Sequence, residues 1–128
     1  MEVELSLGEV VDRMTILELK KHHLQDPEAV RSIGEDLVDL ELRWRAQGHP
    51  PRAELAHHAD LYAVNAALWD IEDALRACEA TLEFGDRFVA LARDVYRLND
   101  RRSALKRAID QDLGSAIMEW KSHTPAKE

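Results

Sequence analysis

Helix-breaking signals gather in four places along this chain, Asp26-Pro27, Gly48-His49-Pro50-Pro51, Gly85 and Gly114, and the stretches between them are long and carry helical periods. That spacing leaves room for long helices and little else. It predicts an all-α fold: an antiparallel helical bundle of four main helices, the third and fourth forming a long hairpin, with a short C-terminal helix, all within one helical domain over residues 1–128.

The first helix is expected over about Leu7 to Leu24. It opens on Ser6-Leu7-Gly8-Glu9, a capping box in which Ser6 and Glu9 can each satisfy an orphan backbone donor. Its apolar positions Val10, Val11, Met14, Ile16, Leu17, Leu19 and Leu24 cover most of the circumference and leave Glu9, Arg13 and Lys20 as the wet strip. Glu18 projects into the apolar arc, so it pairs with something or breaks the burial pattern. In the second helix Asp26 caps, Pro27 takes the first turn, and Val30, Ile33, Leu37, Leu40 and Trp44 form one packing stripe that Gly48 and two prolines end. The third is expected from about Ala53 to Phe84, with Leu61, Val64, Leu68, Ile71, Leu75, Cys78 and Leu82 at coiled-coil spacing. The fourth starts after Gly85 with Asp86 as cap and carries Phe88, Ala92, Val95, Leu98, Leu105, Ile109 and Leu113, a stripe that Arg102 interrupts. Beyond Gly114, Ser115 is a possible cap for a last short helix, and Thr124 to Glu128 reads as a polar tail.

A chain of 128 residues buries roughly two-thirds of the surface its unfolded form exposes, so it needs no disulfide or metal to fold. The lone Cys78 rules out an intramolecular disulfide framework and fits a reducing compartment. No apolar run reaches the ~20 residues that span a bilayer, and the opening MEVELSLGEV lacks a basic and an apolar leader segment, so a cytoplasmic location is expected. The 25 acidic residues outweigh 17 basic ones, and a net charge of −8 argues against general binding to nucleic acid or to an anionic membrane, both of which would repel the chain; with no spanning apolar run, no membrane insertion is expected.

Charge separates along the hairpin. Between Glu54 and Asp86 stand eight acidic residues against Arg76 alone, whereas Arg93 to Arg107 holds six basic residues against Asp94 and Asp100. Folding about Gly85 sets Glu72 near Asn99, Leu68 and Trp69 near Arg102, Asn65 near Lys106 and Arg76 near Tyr96. One reading is an interhelical salt-bridge ladder that fixes register. The other takes Arg93, Arg102 and Lys106 as an inward polar stripe able to hold a phosphate or carboxylate. Asn65, Glu72 and Glu79 recur at seven-residue spacing beside the seam, and Asn65, a mediocre helix former, is the best single pointer to a polar constellation.

Other chemistry is thinner. His22-His23 and His57-His58 are neighbours that point about 100° apart on a helix and cannot chelate one ion. Glu18 with His22, Glu54 with His58 and Glu119 with His123 have the spacing of surface ion pairs, and no metal ligand set is expected. No phosphate loop, H-E-x-x-H or nucleophile elbow occurs. Carboxylates three apart at Glu9 and Asp12, Asp36 and Asp39, Asp70 and Asp73, and Glu83 and Asp86 could hold magnesium from one helix face, although acidic helices produce such pairs by chance.

Three stretches, residues 6–20 (SLGEVVDRMTILELK), 64–73 (VNAALWDIED) and 88–102 (FVALARDVYRLNDRR), resemble a small family of uncharacterised bacterial proteins, a domain of unknown function encoded among glycosyltransferase genes for surface polysaccharide and lipopolysaccharide. The Leu-Trp…Glu-Asp…Arg and Asn-Asp-Arg pattern also looks like a second, distantly similar helical family from such gene clusters. The resemblance implies Asn65, Glu72, Asp73, Arg76, Arg93, Tyr96, Asn99, Asp100, Arg102 and Lys106, with Glu9, Asp12 and Glu18, as the ligand-binding candidates. The tail Glu119-Trp120-Lys121-Ser122-His123 departs from the pattern, which has a second acid at Trp120 and an aromatic at His123.

The leading expectation is an accessory or ligand-binding protein in surface-glycan assembly, without cofactor, holding an anionic small molecule such as a nucleotide or nucleotide sugar in the polar layer between the third and fourth helices. One alternative is a magnesium-dependent nucleotide or nucleotide-sugar pyrophosphohydrolase, with Glu72, Asp73, Asn99 and Asp100 around the metal and Arg102 and Lys106 on phosphate; against it, the E-x-x-E spacing of such enzymes is absent. Another is a purely structural dimerisation module. A homodimer is expected because a hairpin arm of about 30 residues is ~45 Å long and two shorter helices cannot cover it.

Overall fold

The computed structural model describes residues 5–114, and they form four α-helices: α1 Leu7–His23, α2 Pro27–Ala46, α3 His58–Ala80 and α4 Asp86–Leu113. A 3-10 turn, Arg52–Glu54, sits between α2 and α3, and no strand occurs among the described residues. The expected short C-terminal helix, its Ser115 cap and the tail from Glu119 lie outside the described residues.

Local chemistry accounts for most boundaries. Ser6 Oγ accepts from the Glu9 N–H at 3.1 Å and starts α1. The reciprocal half of the expected capping box is replaced, because the Glu9 carboxylate reaches Lys106 instead, 2.5 Å away. Asp26 Oδ1 accepts from the Glu28 N–H and Pro27 occupies the first turn of α2, as the sequence implied. Past Gln47, Gly48 adopts φ +87°, and α4 ends at Gly114 with φ +65°, both in the left-handed region that glycine tolerates. The cap of α4 is Gly85, with Asp86 already its first helical residue, so the expected Asp86 cap is corrected by one position.

The third helix is shorter at both ends than the expected span of Ala53 to Phe84. At its start, Leu55 is extended (φ −73°, ψ 137°), because the preceding chain is tied elsewhere: Trp44 Nε1 donates to the Pro50 carbonyl at 2.6 Å, and Arg52 is held by Glu18 and Glu41. At its end, Leu82 turns into the left-handed region (φ +56°), its N–H donating to the Glu79 carbonyl and the Glu83 N–H to the Cys78 carbonyl. That is a Schellman stop with leucine where glycine is the usual occupant.

The core gathers Val11, Met14, Leu37, Trp44, Leu61, Val64, Leu68, Leu105 and Ile109. Helix α1 touches each of the other three helices, so it is the element around which the rest is arranged. Its C-terminal end reaches Trp69, on which the His23 ring stacks at 4.7 Å. Beyond Trp69 the outer part of α3 and the first half of α4 keep a thinner seam, in which Ile71, Leu75, Phe88 and Leu91 are half-buried and Cys78 is buried. From Glu79 to Arg87 every residue is exposed. No helix among the described residues is long and apolar enough to cross a membrane.

Candidate functional site

Helix α1 presents Gly8, Asp12 and Thr15 on one strip, at spacings of four and three that place all three side chains on the same face. That strip meets α4. Gly8 is indispensable to the contact, since a Cβ there would stand 2.2 Å from the Lys106 carbonyl oxygen. The close approach lets the Gly8 N–H, one of the orphan donors of the first turn, donate to Asp110 Oδ1 at 2.7 Å, and Asp110 is fully buried.

One turn further along, the Asp12 side chain is 2% exposed and carries the centre of the arrangement. Arg102 donates to it in a fork, Nε to Oδ1 at 2.9 Å and Nη2 to Oδ2 at 2.5 Å. Asn65 Nδ2 donates to the same Oδ1 at 2.9 Å and to Thr15 Oγ1 at 2.7 Å. The Thr15 hydroxyl proton goes to the Asp12 carbonyl at 2.6 Å, so Thr15 can only accept from Asn65. These constraints fix the Asn65 amide: its nitrogen must face Asp12 and Thr15, and its Oδ1 then points away, buried and without a partner among the described residues. The Arg102 guanidinium is held above its ordinary pKa chiefly by the Asp12 hydrogen bonds, against the opposing cost of burial, with the fields of Glu9 and Glu72 assisting. An arginine in an apolar stripe is thereby matched by a buried carboxylate from another helix.

Five of the sequence-derived candidates therefore meet in one layer joining α1, α3 and α4: Glu9, Asp12, Asn65, Arg102 and Lys106. Glu72 is exposed and acts on Arg102 through its field, while the direct partner of Arg102 is Asp12. Asp73 and Arg76 pair with each other at 2.5 Å on the surface of α3. Arg93, Tyr96 and Asp100 are exposed on α4, and Asn99 is half-buried there. The ladder across the hairpin is largely replaced by pairs within helices, Arg76 with Asp73 and Arg97 with Asp94, with Arg101 and Asp60 4.0 Å apart across it. Gly8, Thr15 and Asp110 complete the layer and were not singled out by the sequence.

Glu18 belongs to a different cluster, which resolves its place in an apolar arc. Arg52 donates through Nη2 to Glu18 Oε1 at 2.5 Å and through Nε to Glu41 Oε1 at 2.9 Å, while its Nη1 stands 3.1 Å from His58 Nε2. Because guanidinium only donates, His58 Nε2 accepts and the ring proton sits on Nδ1. Burial and the adjacent Arg52 charge push the His58 pKa below its ordinary value. Sequence periodicity marks only Glu18 in this cluster, since Arg52 lies in a proline-marked turn and its carboxylate partners are 11 and 34 residues away. Among the described residues no group of three His, Cys, Asp or Glu side chains stands together in a way that could hold a metal ion.

Among the described residues, then, the chain is an arrangement of helices in which α1, α3 and α4 are joined around a buried charge node. By comparison with family models the chain belongs to a family of unknown function (DUF6165), matched over residues 1–127. Comparison with curated proteins and with solved structures gives no match.

Proposed function

We propose that this chain is an accessory protein of bacterial surface-glycan assembly in the cytoplasm, acting by binding rather than by catalysis, and that it works as a homodimer joined through the outer half of the α3–α4 hairpin. The observation that carries the dimer is the uncovered hairpin end. Leu82 is 76% exposed and Phe84 49%, Val89 is exposed beside them, and Phe84 meets Phe88 edge to face at 5.3 Å. Apolar groups gathered at one end of a monomer mark an interaction surface. A second copy suits that surface because a two-fold axis brings each patch against its own equivalent, and in the proposed pairing the acidic outer stretch of α3 in one protomer lies beside the Arg93 to Arg97 stretch of α4 in its partner, twice over. The antiparallel course of the bundle helices belongs to the same reading. The glycan-assembly role rests on the resemblance of the three sequence segments to proteins from such gene clusters.

The buried layer supports this division of labour. Arg102 and Lys106, the cations an anionic ligand would need, are engaged by Asp12 and Glu9, so the layer acts as a lock that fixes how α1 seats on the hairpin. The magnesium pyrophosphohydrolase reading gains no support, because its carboxylates do not assemble into a donor set among the described residues. Sedimentation equilibrium tests the proposal. A dimer is expected for the native chain, and Leu82→Ser with Phe84→Ser should shift it to monomer with helix content unchanged by circular dichroism. A native chain that stays monomeric at high micromolar concentration would overturn it.

A further inference from the structure

We propose that the cleft between α1, α2 and the Arg52–Glu54 turn is a ligand-binding site, and that it takes a small neutral molecule rich in hydroxyl groups, of the class of a monosaccharide unit. The cleft measures about 350 Å³ and is walled by Glu18, Glu41, Trp44, Arg45, Pro51, Arg52, Ala53 and His58. That volume lies within the range of roughly 300 to 1,000 Å³ typical of small-molecule sites. The inference goes beyond the dimer reading and uses none of its residues.

The bonding inventory selects the ligand. Of the two cations in the lining, Arg45 is exposed, while the Arg52 side chain is 12% exposed and each of its three nitrogens is engaged, by Glu41, Glu18 and His58. These contacts use three of its five N–H donors, and an anion approaching the remaining two would meet the Glu18 and Glu41 carboxylates on either side. A phosphate or carboxylate ligand could reach Arg45 and the spare Arg52 donors but would leave both glutamate Oε2 atoms unsatisfied, so it is the poorer match to the cleft as a whole. The two glutamates each use Oε1 on Arg52, and their Oε2 atoms have no partner among the described residues. The cleft thus offers two carboxylate acceptors held in place by one buried guanidinium. It also offers a donor, the Nδ1–H of neutral His58, whose Nε2 is committed to Arg52.

A site with both acceptors and a donor matches the hydroxyl group, which donates and accepts at once. An ammonium group would satisfy the carboxylates alone. Trp44, pinned through Nε1 to the Pro50 carbonyl, and Pro51 supply the apolar wall against which the C–H face of a polyol can pack. The elements around the cleft are tied to one another by Arg52 and Trp44 before any ligand arrives, so little ordering accompanies binding.

The test is titration of the isotope-labelled full chain, followed by two-dimensional NMR, with three probes: methyl glycosides of glucose and galactose, ethylammonium, and inorganic phosphate. Saturable shifts at Glu41, Trp44, Ala53 and His58 with a glycoside, and none with phosphate, are expected. Ala53→Trp, which fills the cleft from an exposed position and leaves the Arg52 cluster in place, should abolish them. Glu41→Gln should weaken binding by about tenfold through loss of a charge-assisted hydrogen bond. The Leu82→Ser, Phe84→Ser chain should bind unchanged, which separates this proposal from the dimer. Saturable binding of phosphate, binding of ethylammonium alone, absence of saturable shifts with every probe, or glycoside binding undiminished in both cleft variants would each overturn it.

Discussion

At the scale of residues, the structure turns on Asp12, a carboxylate taken out of water and matched by the Arg102 fork and the Asn65 amide. Removing one member of such a set leaves the other charge buried and unpaired, so Arg102→Leu should cost ~3 to 5 kcal/mol in urea unfolding. With Asp12→Leu added, the double variant should lose less than the two single losses combined, whereas additive losses within ~0.5 kcal/mol would mean that the pair is not coupled. His58 gives a prediction in pH. Its pKa in the folded chain lies below the ordinary 6.5, so the unfolded chain binds its proton first as pH falls. Stability from keeping His58 neutral is complete above 6.5 and drains away as pH falls through the lowered value. The stability difference between the native chain and His58→Gln should therefore be flat above 6.5 and shift against the native chain as pH falls from there toward the lowered value. The sequence made Asn65 and Arg102 legible because each breaks an apolar pattern. Asp12 entered on resemblance and as one of many carboxylate pairs, although its strip held a readable sign: Gly8, Asp12 and Thr15 run small and polar along a helix otherwise lined with large apolar side chains. Nothing comparable marks Arg52, whose partners come from three separate elements.

At the scale of elements, periodicity located the helices well, and their ends were legible where a breaker residue sets them. Asp26-Pro27 opens α2, and Gly48 and Gly114 follow the ends of α2 and α4. The end of α3 was illegible because a leucine, not a glycine, adopts the left-handed stop at residue 82. Its beginning was illegible because ties made across the fold, from Trp44 to Pro50 and from Arg52 to Glu18, override the local helical pattern. Left-handed backbone costs an L-residue ~1 to 2 kcal/mol, and Leu82 is mostly exposed in the monomer, so packing within the chain offsets little of that cost. Leu82→Gly should stabilise the isolated monomer at low concentration by about 1 kcal/mol, measured as the urea midpoint at unchanged slope. The same change should weaken association, because an apolar contact is lost. A variant less stable than the native monomer would show that Leu82 packs within its own chain.

At the scale of the whole molecule, α1 clamps the inner half of the hairpin through the buried charge layer, and the outer half carries the exposed apolar end, the acidic stretch of α3 from Asp70 to Glu79 and, on α4, Arg93 and Arg97. The two-fold pairing places acid against base, so reversing either arm should set like charges together and reversing both should restore the match. Glu79 and Arg93 suit the experiment, being exposed and without an ion-pair partner among the described residues. Sedimentation velocity of the native chain, Glu79→Arg, Arg93→Glu and the double variant, all at one concentration and at low salt, tests the account most directly. The account predicts a dimer for the native chain, a shift toward monomer in each single variant and recovery of the dimer in the double variant. A native chain that sediments as a monomer, or single variants that dimerise as well as it does, would contradict it.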